Sequence, residues 1–433
     1  MLIKMNYKKT HIHWFRNDLR LHDQPFLQKL DECDTLVCVY VLNPKEVQYV
    51  QWDNQALGFR KQGLNRLQFL RETLYDLQRN LRKRGNDLLV RVGNPAEIIE
   101  DLVTKNQVSL SFELGYATEE KEEQRNVIKA LNIEDVDAYE GGFLIHPTSL
   151  PFPFEKFPNG FSSFRNKIEK KRDNTTFATL PVPETLPKPP QVFSQIKMST
   201  RTLDTRAAFK FKGGETQGLE RLNYYLFESK ELLNYKVKRN GSVGIDYSGK
   251  FSAWLANGSL SPNQIMKEIR RFENEVKAND GTYWMWFELL WRDFFRYIGK
   301  KNGDKLFFIS GLNGKSLRFR QKLDVFSNWC SGNTTSAFVN AHLKELNHTG
   351  FMSNRGRQNV ASFLFHDLGI DWRYGAAWFE HTLVDYDVYS NYGNWLYIVG
   401  VGNDPKGGRK FDVDWQQERY DPEREHEKVW LRN

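Results

Sequence analysis

The sequence predicts an α/β domain with a parallel sheet, followed by an all-α domain. Three observations support this fold class. Short apolar segments alternate with amphipathic ones up to about residue 135, nine of the fifteen prolines fall within 141–200, and helical spacing dominates after about residue 205. We therefore expect an α/β domain at 8–135, an interdomain linker at 136–204 and a helical domain at 205–433.

The first part contains short apolar segments that have the length and composition of buried strands, at 11–15, 35–42, 87–92 and 107–112. Amphipathic spacing predicts helices between and after them, at 59–84, after Pro95 and at 119–131. Strands that alternate with helices pair in parallel, because each helix carries the chain back to the same edge of the sheet.

The proline-rich stretch favours an extended linker, which one helix at 161–172 interrupts. The segments that follow have the spacing of helices, at 215–233, 252–257, 262–277, 281–300, 334–347, 355–367 and 373–383. Ser261-Pro262 supplies the expected N-cap serine and first-turn proline for one of them. The second domain is therefore predicted to be all-α.

Composition excludes several classes of protein. Of 433 residues, 40% are hydrophobic and 27% are charged, which argues against a disordered chain. No segment reaches the roughly 20 apolar residues that span a bilayer, so no membrane association is expected. The three cysteines form no disulfide framework and no metal cluster. We therefore expect a cytoplasmic protein without a metal site.

The net charge of +8 lies entirely in the second part of the chain. Residues 1–140 carry a net charge of −2, whereas residues 141–433 hold 42 basic and 32 acidic residues. A basic surface of this kind suits nucleic acid, although ordinary solubility explains the charge equally well.

Ten of the twelve tryptophans also lie between Trp254 and Trp430. Such a composition suits a large planar cofactor or stacked bases.

Familiar catalytic signatures are missing from the sequence: it has no P-loop, HExxH, CxxC pair or GxSxG. Ser248 and Ser252, with Gly249 between them, precede a short helical segment. Hydroxyls and free N–H groups at a helix start form a phosphate site, but a plain N-cap explains them equally well.

The segment 284–295 is rich in large aromatic residues. On a helix, Glu288, Trp291 and Arg292 share one mostly apolar face. A Glu288–Arg292 ion pair on that face would be partly buried. The alternatives are an ordinary surface pair or a cavity wall in which Trp291 stacks on a ligand.

Two further segments concentrate polar side chains. Asn354 and Gln358 stand one helical turn apart beside arginines, so they could bind the edge of a base or a flavin, or simply cap a solvated helix. Asp385, Asp387 and Asn391 follow within a short stretch. Such carboxylates suit general acid–base catalysis, Mg²⁺ binding, or hydrogen bonds to a ribose, an adenine amine or a flavin N–H.

Together these segments resemble the photolyase/cryptochrome family along nearly the whole chain, and most closely its cryptochrome-DASH branch. The similarity begins at Trp14-Phe-Arg-Asn-Asp-Leu-Arg-Leu21 and is densest at 349–358 and 385–405. The stretch Ser390-Asn-Tyr-Gly-Asn-Trp395, with Val401-Gly-Asn-Asp-Pro405, is typical of the DASH branch.

The resemblance implies a Rossmann-like antenna domain and a helical domain that binds FAD. It implies flavin contacts at Tyr235, Ser248, Gly249, Lys250, Phe251, Ser252, Arg292, Asn354, Arg357, Asp385, Asp387 and Asn391. Asn391 corresponds to the residue that faces flavin N5. A folate antenna, 5,10-methenyltetrahydrofolate, is also implied, with Glu113 as the nearest candidate contact.

The implied activity is that of a deoxyribodipyrimidine photo-lyase. In this family, excited reduced flavin donates an electron to a cyclobutane pyrimidine dimer, the ring splits and the electron returns. The damaged bases must leave the stack, as photolyases are known to require. Glu288, Trp291 and Asn354 correspond to positions that contact the dimer.

Two departures from duplex-repairing relatives predict a preference for single-stranded DNA. Gln358 replaces a usual Met and Tyr397 replaces a usual Trp, and both are typical of the DASH branch. A cavity with less apolar surface to stack on the dimer compensates poorly for the free energy needed to flip the dimer out of a duplex. The alternatives are a signalling blue-light photoreceptor without repair turnover and a general duplex photolyase. RNA is a further expected partner, and we expect a monomer.

A third departure concerns photoreduction. Trp395 and Trp372 correspond to the first two tryptophans of the family's electron-transfer chain, but Phe319 occupies the expected third position. Phe is much harder to oxidise than Trp. The sequence therefore predicts either that Trp329 or Tyr374 replaces the missing donor or that photoreduction is inefficient.

Overall fold

The computed structural model describes residues 9–30, 33–52, 55–103, 108–131, 133, 135–170, 177–191, 193–197, 204–320 and 322–432. Residue 8, the predicted start of the first domain, lies outside the described residues, as do the last two residues of the helix predicted at 161–172.

The first part of the chain is built on a parallel sheet of five strands in the order β5-β2-β1-β6-β7. A two-stranded antiparallel hairpin, β3 and β4, stands apart from it. The central strand β1 is buried between two apolar clusters, one of which contains Ile12 and Trp14 and the other Phe15; Trp14 pairs with Val39 of β2. The strands are β1 Thr10–Phe15, β2 Thr35–Leu42, β3 Tyr49–Trp52, β4 Gln55–Arg60, β5 Leu88–Val92, β6 Val108–Glu113 and β7 Val136–Tyr139.

The predicted α/β fold class is therefore confirmed. The last strand lies at 136–139, just beyond the limit predicted for the first domain, and pairs with β6 from Leu110 to Glu113. The limits 8–135, 136–204 and 205–433 themselves remain a prediction.

Three helices flank the strands: α1 Leu64–Arg82, α2 Pro95–Leu102 and α3 Thr118–Leu131. The prediction of one helix at 59–84 is wrong at its start, because Gln55–Arg60 is a strand. The backbone of Gly63 is extended and donates to the carbonyl of His381 at 2.8 Å, so α1 cannot begin before it. Phe59 is nevertheless buried, packed edge-on against Trp378 at 4.9 Å.

The linker region packs against the helical domain over part of its length. Its helix, α4 Phe161–Glu169, places Phe161 and Phe164 against Phe294. The buried carboxylate of Asp293 accepts the backbone N–H groups of Leu144 and Ile145 at 2.9 and 2.8 Å. The segment that leaves the sheet is thus fixed to the helix that carries residues 284–295.

The second part is all-α in its described residues, as predicted. The predicted helix at 215–233 is wrong in its second half: a π-helical segment, Tyr224–Glu228, follows α5, and Lys230 is left-handed (φ 54°). The helices are α5 Glu215–Asn223, α6 Tyr235–Lys238, α7 Ser252–Ala256, α8 Pro262–Glu275, α9 Asp280–Asn302, α10 Leu323–Cys330, α11 Ala337–Thr349, α12 Asn354–Ser362, α13 Trp372–Thr382, α14 Val388–Val399, α15 Val413–Tyr420 and α16 Glu425–Leu431.

Buried polar contacts join the two parts. Glu215, at the start of α5, accepts the backbone N–H groups of Leu21 and His22, and Arg20 donates to the carbonyl of Gly258 at 3.0 Å. Gly258 is left-handed (φ 73°), and a Cβ there would meet the carbonyl oxygen of Asn17 at 1.9 Å. None of the helices described is long and apolar enough to cross a bilayer.

Candidate functional site

A cavity of about 310 Å³ opens within the helical domain. Its wall is formed by the 247–252 segment and by one face each of α9, α12 and α14. All twelve residues expected from the sequence to bind the flavin line it: Tyr235, Ser248, Gly249, Lys250, Phe251, Ser252, Arg292, Asn354, Arg357, Asp385, Asp387 and Asn391. Glu288, Gln358 and Trp395 line it as well. The structure thus brings together segments up to 160 residues apart in the sequence.

The 247–252 loop is held from behind by a buried arginine. The Arg221 guanidinium donates to the carbonyls of Ser248 and Gly249 and pairs with Asp246 at 3.0 Å. Because these acceptors are all in the loop, Arg221 fixes its backbone conformation before any ligand binds.

Lys250 is a buried cation in the cavity wall. It is left-handed (φ 62°), only 4% exposed, and its ammonium lies 3.1 Å from the ring centroid of Tyr247 and 4.8 Å from that of Phe351. Burial lowers the pKa of Lys250 well below its usual range, because the side chain has left water without gaining a close carboxylate. An anionic group in the cavity would offset that cost, so the site suits a phosphate.

Asp385 provides an acceptor in the cavity wall. Its Oδ2 accepts from the Arg357 guanidinium at 2.8 Å, whereas its Oδ1 is buried and has no hydrogen-bond partner among the described residues. A buried carboxylate oxygen in this state is costly unless a ligand donates to it. Asp387 instead caps α14 by accepting the N–H of Ser390 at 2.7 Å.

Asn391 and Trp395 lie one turn apart on α14. The Asn391 amide donates to the carbonyl of Ala376 at 3.1 Å, which fixes its orientation toward the cavity. Trp395 is 2% exposed, and its indole N–H has no partner among the described residues. Gly375 allows this packing, since a Cβ there would lie 2.3 Å from the Trp395 ring.

The predicted Glu288–Arg292 pair is wrong. Glu288 forms its ion pair with Arg239, the residue that follows α6 in the sequence. The Arg239 guanidinium also lies 4.4 Å from the ring centroid of Trp284. Arg292 donates instead to the carbonyls of Gly142 and Leu255. Burial raises the pKa of Glu288, and the neighbouring Arg239 lowers it. The partner was not recognisable in the sequence, because it lies 49 residues away.

Four of the site residues expected from the sequence lie outside the cavity wall: Trp291, Trp372, Tyr397 and Glu113. Trp291 stacks on Phe161 with centroids 3.7 Å apart and meets the ring of Tyr397 edge-on at 5.9 Å. Tyr397 accepts a hydrogen bond from Arg409, and Trp372 donates to the carbonyl of Ile309. One face of Trp291 is therefore covered by protein.

Glu113, the candidate antenna residue, is the fourth. It is 3% exposed and forms an ion pair with Arg296 of α9 at 2.6 Å, so it links the sheet to the helical domain. Its Oε2 is buried without a partner. Burial raises the pKa of Glu113, and Arg296 opposes that shift.

Sequence reasoning missed several residues of the wall, among them Arg239, Met352 and Phe379. Arg239 carries no distinguishing signal, because it stands in a basic stretch with Lys236 and Lys238. Met352 and Phe379 carry no signal beyond an apolar side chain, because only the packing of distant helices brings them to the cavity.

Comparison with known proteins identifies the family. The model of the FAD binding domain of DNA photolyase matches residues 284–433, and that of DNA photolyase matches residues 11–190. A cryptochrome DASH of Gloeobacter violaceus is 43% identical over 98% of this chain and 85% of its own length. The chain belongs to the photolyase/cryptochrome family. Within this family, a cryptochrome DASH of Xenopus laevis is 42% identical over 96% of the chain and 81% of its own length.

The structural comparison agrees with that assignment. The crystal structure of a Synechocystis cryptochrome matches with a TM-score of 0.92 and 42% identity, covering 98% of this chain and 89% of that one. The resemblance to cryptochrome DASH and the FAD-binding helical domain, both predicted from the sequence, are confirmed. The cavity lies in the domain for which FAD binding is the family's property.

Proposed function

We propose that this chain repairs cyclobutane pyrimidine dimers in blue light, with a preference for single-stranded DNA, using FAD bound by the twelve cavity residues. The arrangement of the wall suits that cofactor. Among the described residues, the buried Lys250 side chain forms no ion pair, and Asp385 Oδ1 and the indole N–H of Trp395 lack hydrogen-bond partners. When bound and reduced, the flavin supplies an electron to the dimer under light.

The protein's own part is to orient the flavin and the damaged bases. Asn391 is fixed by its bond to Ala376, so its position at the cavity is set before the cofactor binds. We assign dimer contacts to Glu288, Asn354 and Gln358, which line the same cavity. Trp395 and Trp372 are proposed as electron carriers between the flavin and the protein surface.

The observation that carries the strand preference is the packing of Trp291 and Tyr397. Phe161 covers one face of Trp291, and the Tyr397 hydroxyl is held by Arg409. Little free aromatic surface then remains to stack on a dimer taken from a duplex. A dimer in a single strand avoids most of the unpairing cost of a few kcal/mol.

A repair assay with a matched pair of variants tests the activity. Glu288→Gln keeps the shape of the side chain but removes the charge that Arg239 holds in place, so repair of a single-stranded dimer should fall about tenfold at equal flavin content. Glu268→Gln, whose carboxylate pairs with Arg271 on α8, is the control and should repair normally. Equal rates in both variants would contradict the role of Glu288.

The strand preference has its own test. Gln358→Met with Tyr397→Trp restores the residues typical of duplex-repairing relatives, so it should raise duplex repair relative to the parent chain. An unchanged ratio of duplex to single-strand repair would show that these two positions do not set the preference.

A signalling photoreceptor is the second candidate function, since the same flavin serves both branches of the family. Absence of repair on either strand type, with the flavin bound, would favour it. We further propose that the chain works as a monomer in the cytoplasm and binds RNA through the basic helical domain. A folate antenna would involve the unpartnered Oε2 of Glu113.

A further inference from the structure

Outside the cavity, a second cluster of polar side chains is buried between α11 and α16. His342 and Glu345 are on α11, and His426 is on α16. One donor atom from each of the three residues lies within 4.8 Å of the others. His426 Nε2 is 2.9 Å from Glu345 Oε2, and His342 Nδ1 is 3.9 Å from the same oxygen.

Hydrogen bonding within the cluster is incomplete. His342 is 1% exposed, and among the described residues no group lies within hydrogen-bond distance of either of its ring nitrogens or of Nδ1 of His426; the nearest carboxylate oxygen to His342 Nδ1, Glu345 Oε2, is 3.9 Å away. The two imidazole rings lie 4.2 Å apart and face each other at 31°. Buried polar atoms are normally satisfied, so a histidine without any partner indicates a missing ligand.

Two imidazole nitrogens and one carboxylate oxygen form a familiar donor set for divalent first-row transition ions, above all Zn²⁺. Bonds of about 2.0–2.1 Å place the donor atoms of a tetrahedral zinc site roughly 3.4 Å apart. Of the present distances, 2.9 Å is shorter than this and 3.9 Å is longer, and the three donor atoms are spread over up to 4.8 Å, so the side chains must rotate inward to close the site. Because the two imidazoles are neutral, the Glu345 carboxylate supplies the single negative charge that offsets the cation.

We propose that His342, Glu345 and His426 bind one Zn²⁺ ion that fastens the C-terminal helix to α11. The site is separate from the flavin cavity but adjoins its wall. A Cβ on Gly356 of α12 would lie 2.6 Å from Nδ1 of His342, and the same helix carries Asn354 and Arg357. A bound ion would therefore stabilise both the chain terminus and the back of α12. This proposal is independent of the proposed function.

Zinc content of the flavin-loaded chain tests the proposal. After treatment with EDTA, the protein is dialysed against micromolar ZnCl₂ and analysed by elemental mass spectrometry. The wild type should retain about one zinc per chain, whereas His342→Gln and His426→Gln should lose most of it. His348→Gln is the control, because His348 is on the same helix with a side chain that is 49% exposed and outside the cluster. Zinc retained by His342→Gln, or absent from the wild type, would overturn the proposal.

A second measurement needs no variant and covers the case in which the substituted chains fail to fold. X-ray absorption at the zinc edge of the wild type should show two imidazole ligands and an oxygen shell. The melting temperature should also rise with Zn²⁺ relative to EDTA, and not with Mg²⁺. Coordination without imidazole, or a melting temperature that Zn²⁺ leaves unchanged, would show that the cluster is only a hydrogen-bonded contact between helices.

Discussion

At the scale of single residues, the cavity is defined by groups that folding alone leaves unsatisfied. Lys250 is a buried cation whose pKa is lowered by burial, and Asp385 keeps one buried oxygen without a donor. Such groups reduce the stability of the empty protein, so their presence together in one wall is best explained by a ligand that carries both an anionic part and N–H donors.

Replacing Asp385 by Asn tests this interpretation. The change keeps the size of the side chain but removes the charge that holds Arg357 and accepts from the ligand. Flavin affinity should fall about tenfold or more, because hydrogen bonds to a charged group contribute about 1.5–3 kcal/mol. Flavin fluorescence during titration of the apoprotein measures the dissociation constant. Asp367→Asn, at a half-buried carboxylate paired with Lys410, is the control, and equal affinity in both variants would contradict the assignment.

At the scale of the helices, aromatic rings connect the cavity to the interior of the domain. Trp395 on α14 meets Phe379 on α13 at 5.3 Å, and Phe379 lies 6.4 Å from Trp329 on α10. Tyr374 lies 5.5 Å from Phe326, which in turn lies 6.0 Å from Trp329. Because Phe379 bridges Trp395 and Trp329, we take Trp329 as the replacement to test first for the missing third tryptophan.

Photoreduction should therefore depend on Trp329. In Trp329→Phe, light-driven reduction of the bound flavin should slow severalfold, because Phe is harder to oxidise, while repair after chemical reduction should stay unchanged. Absorbance of oxidised flavin under illumination with an external reductant follows the reaction. Trp415→Phe, at a residue that is 50% exposed on α15, is the control. A loss in Tyr374→Phe but not in Trp329→Phe would reverse the assignment.

The same scale shows what the sequence could and could not predict. Strand β2 was predicted at its observed limits, because a short apolar run bounded by polar residues has few alternatives. The last two residues of the hairpin strand, Phe59 and Arg60, were predicted as helix, because Phe59 was counted with the apolar residues of the helix that follows. Glu288 was placed at the site, but its partner Arg239 was missed, and no metal site was expected because the cysteines form no cluster and the sequence has no HExxH or CxxC signature. Local pattern predicts elements, whereas contacts between distant elements come from packing.

At the scale of the whole molecule, the linker region and the sheet are joined to the helical domain through buried polar groups. Asp293 on α9 accepts two backbone N–H groups of the segment after β7, and Arg296, one turn later, pairs with Glu113 of β6. One helix therefore carries cavity residues on one face and the interdomain contacts on another.

The Asp293 contact predicts a pH dependence of stability. Burial raises the pKa of Asp293 to about 6, although the two backbone N–H groups act to lower it. Since this is above the value of about 3.9 expected in the unfolded chain, the folded state binds the proton more tightly, and the contribution to stability is lost as pH rises through 6. Between pH 5 and 7 the free energy of unfolding should fall by about 1 kcal/mol from this group.

Urea unfolding of the wild type and of Asp293→Asn at both pH values measures this contribution. The variant should be less stable throughout, because an amide cannot accept both N–H groups, but the wild type should show the larger decrease between pH 5 and 7. An equal decrease in both proteins would mean that Asp293 does not titrate in this range.

The central claim is that this cavity serves light-driven repair of dimers in single strands. The most direct measurement is illumination of the flavin-reduced protein with dimer-containing single-stranded and duplex DNA of the same sequence, with repair of each followed over time. We expect rapid repair of the single strand and little repair of the duplex. Equal repair of both would contradict the strand preference, and no repair of either, with the flavin bound, would contradict the enzymatic function.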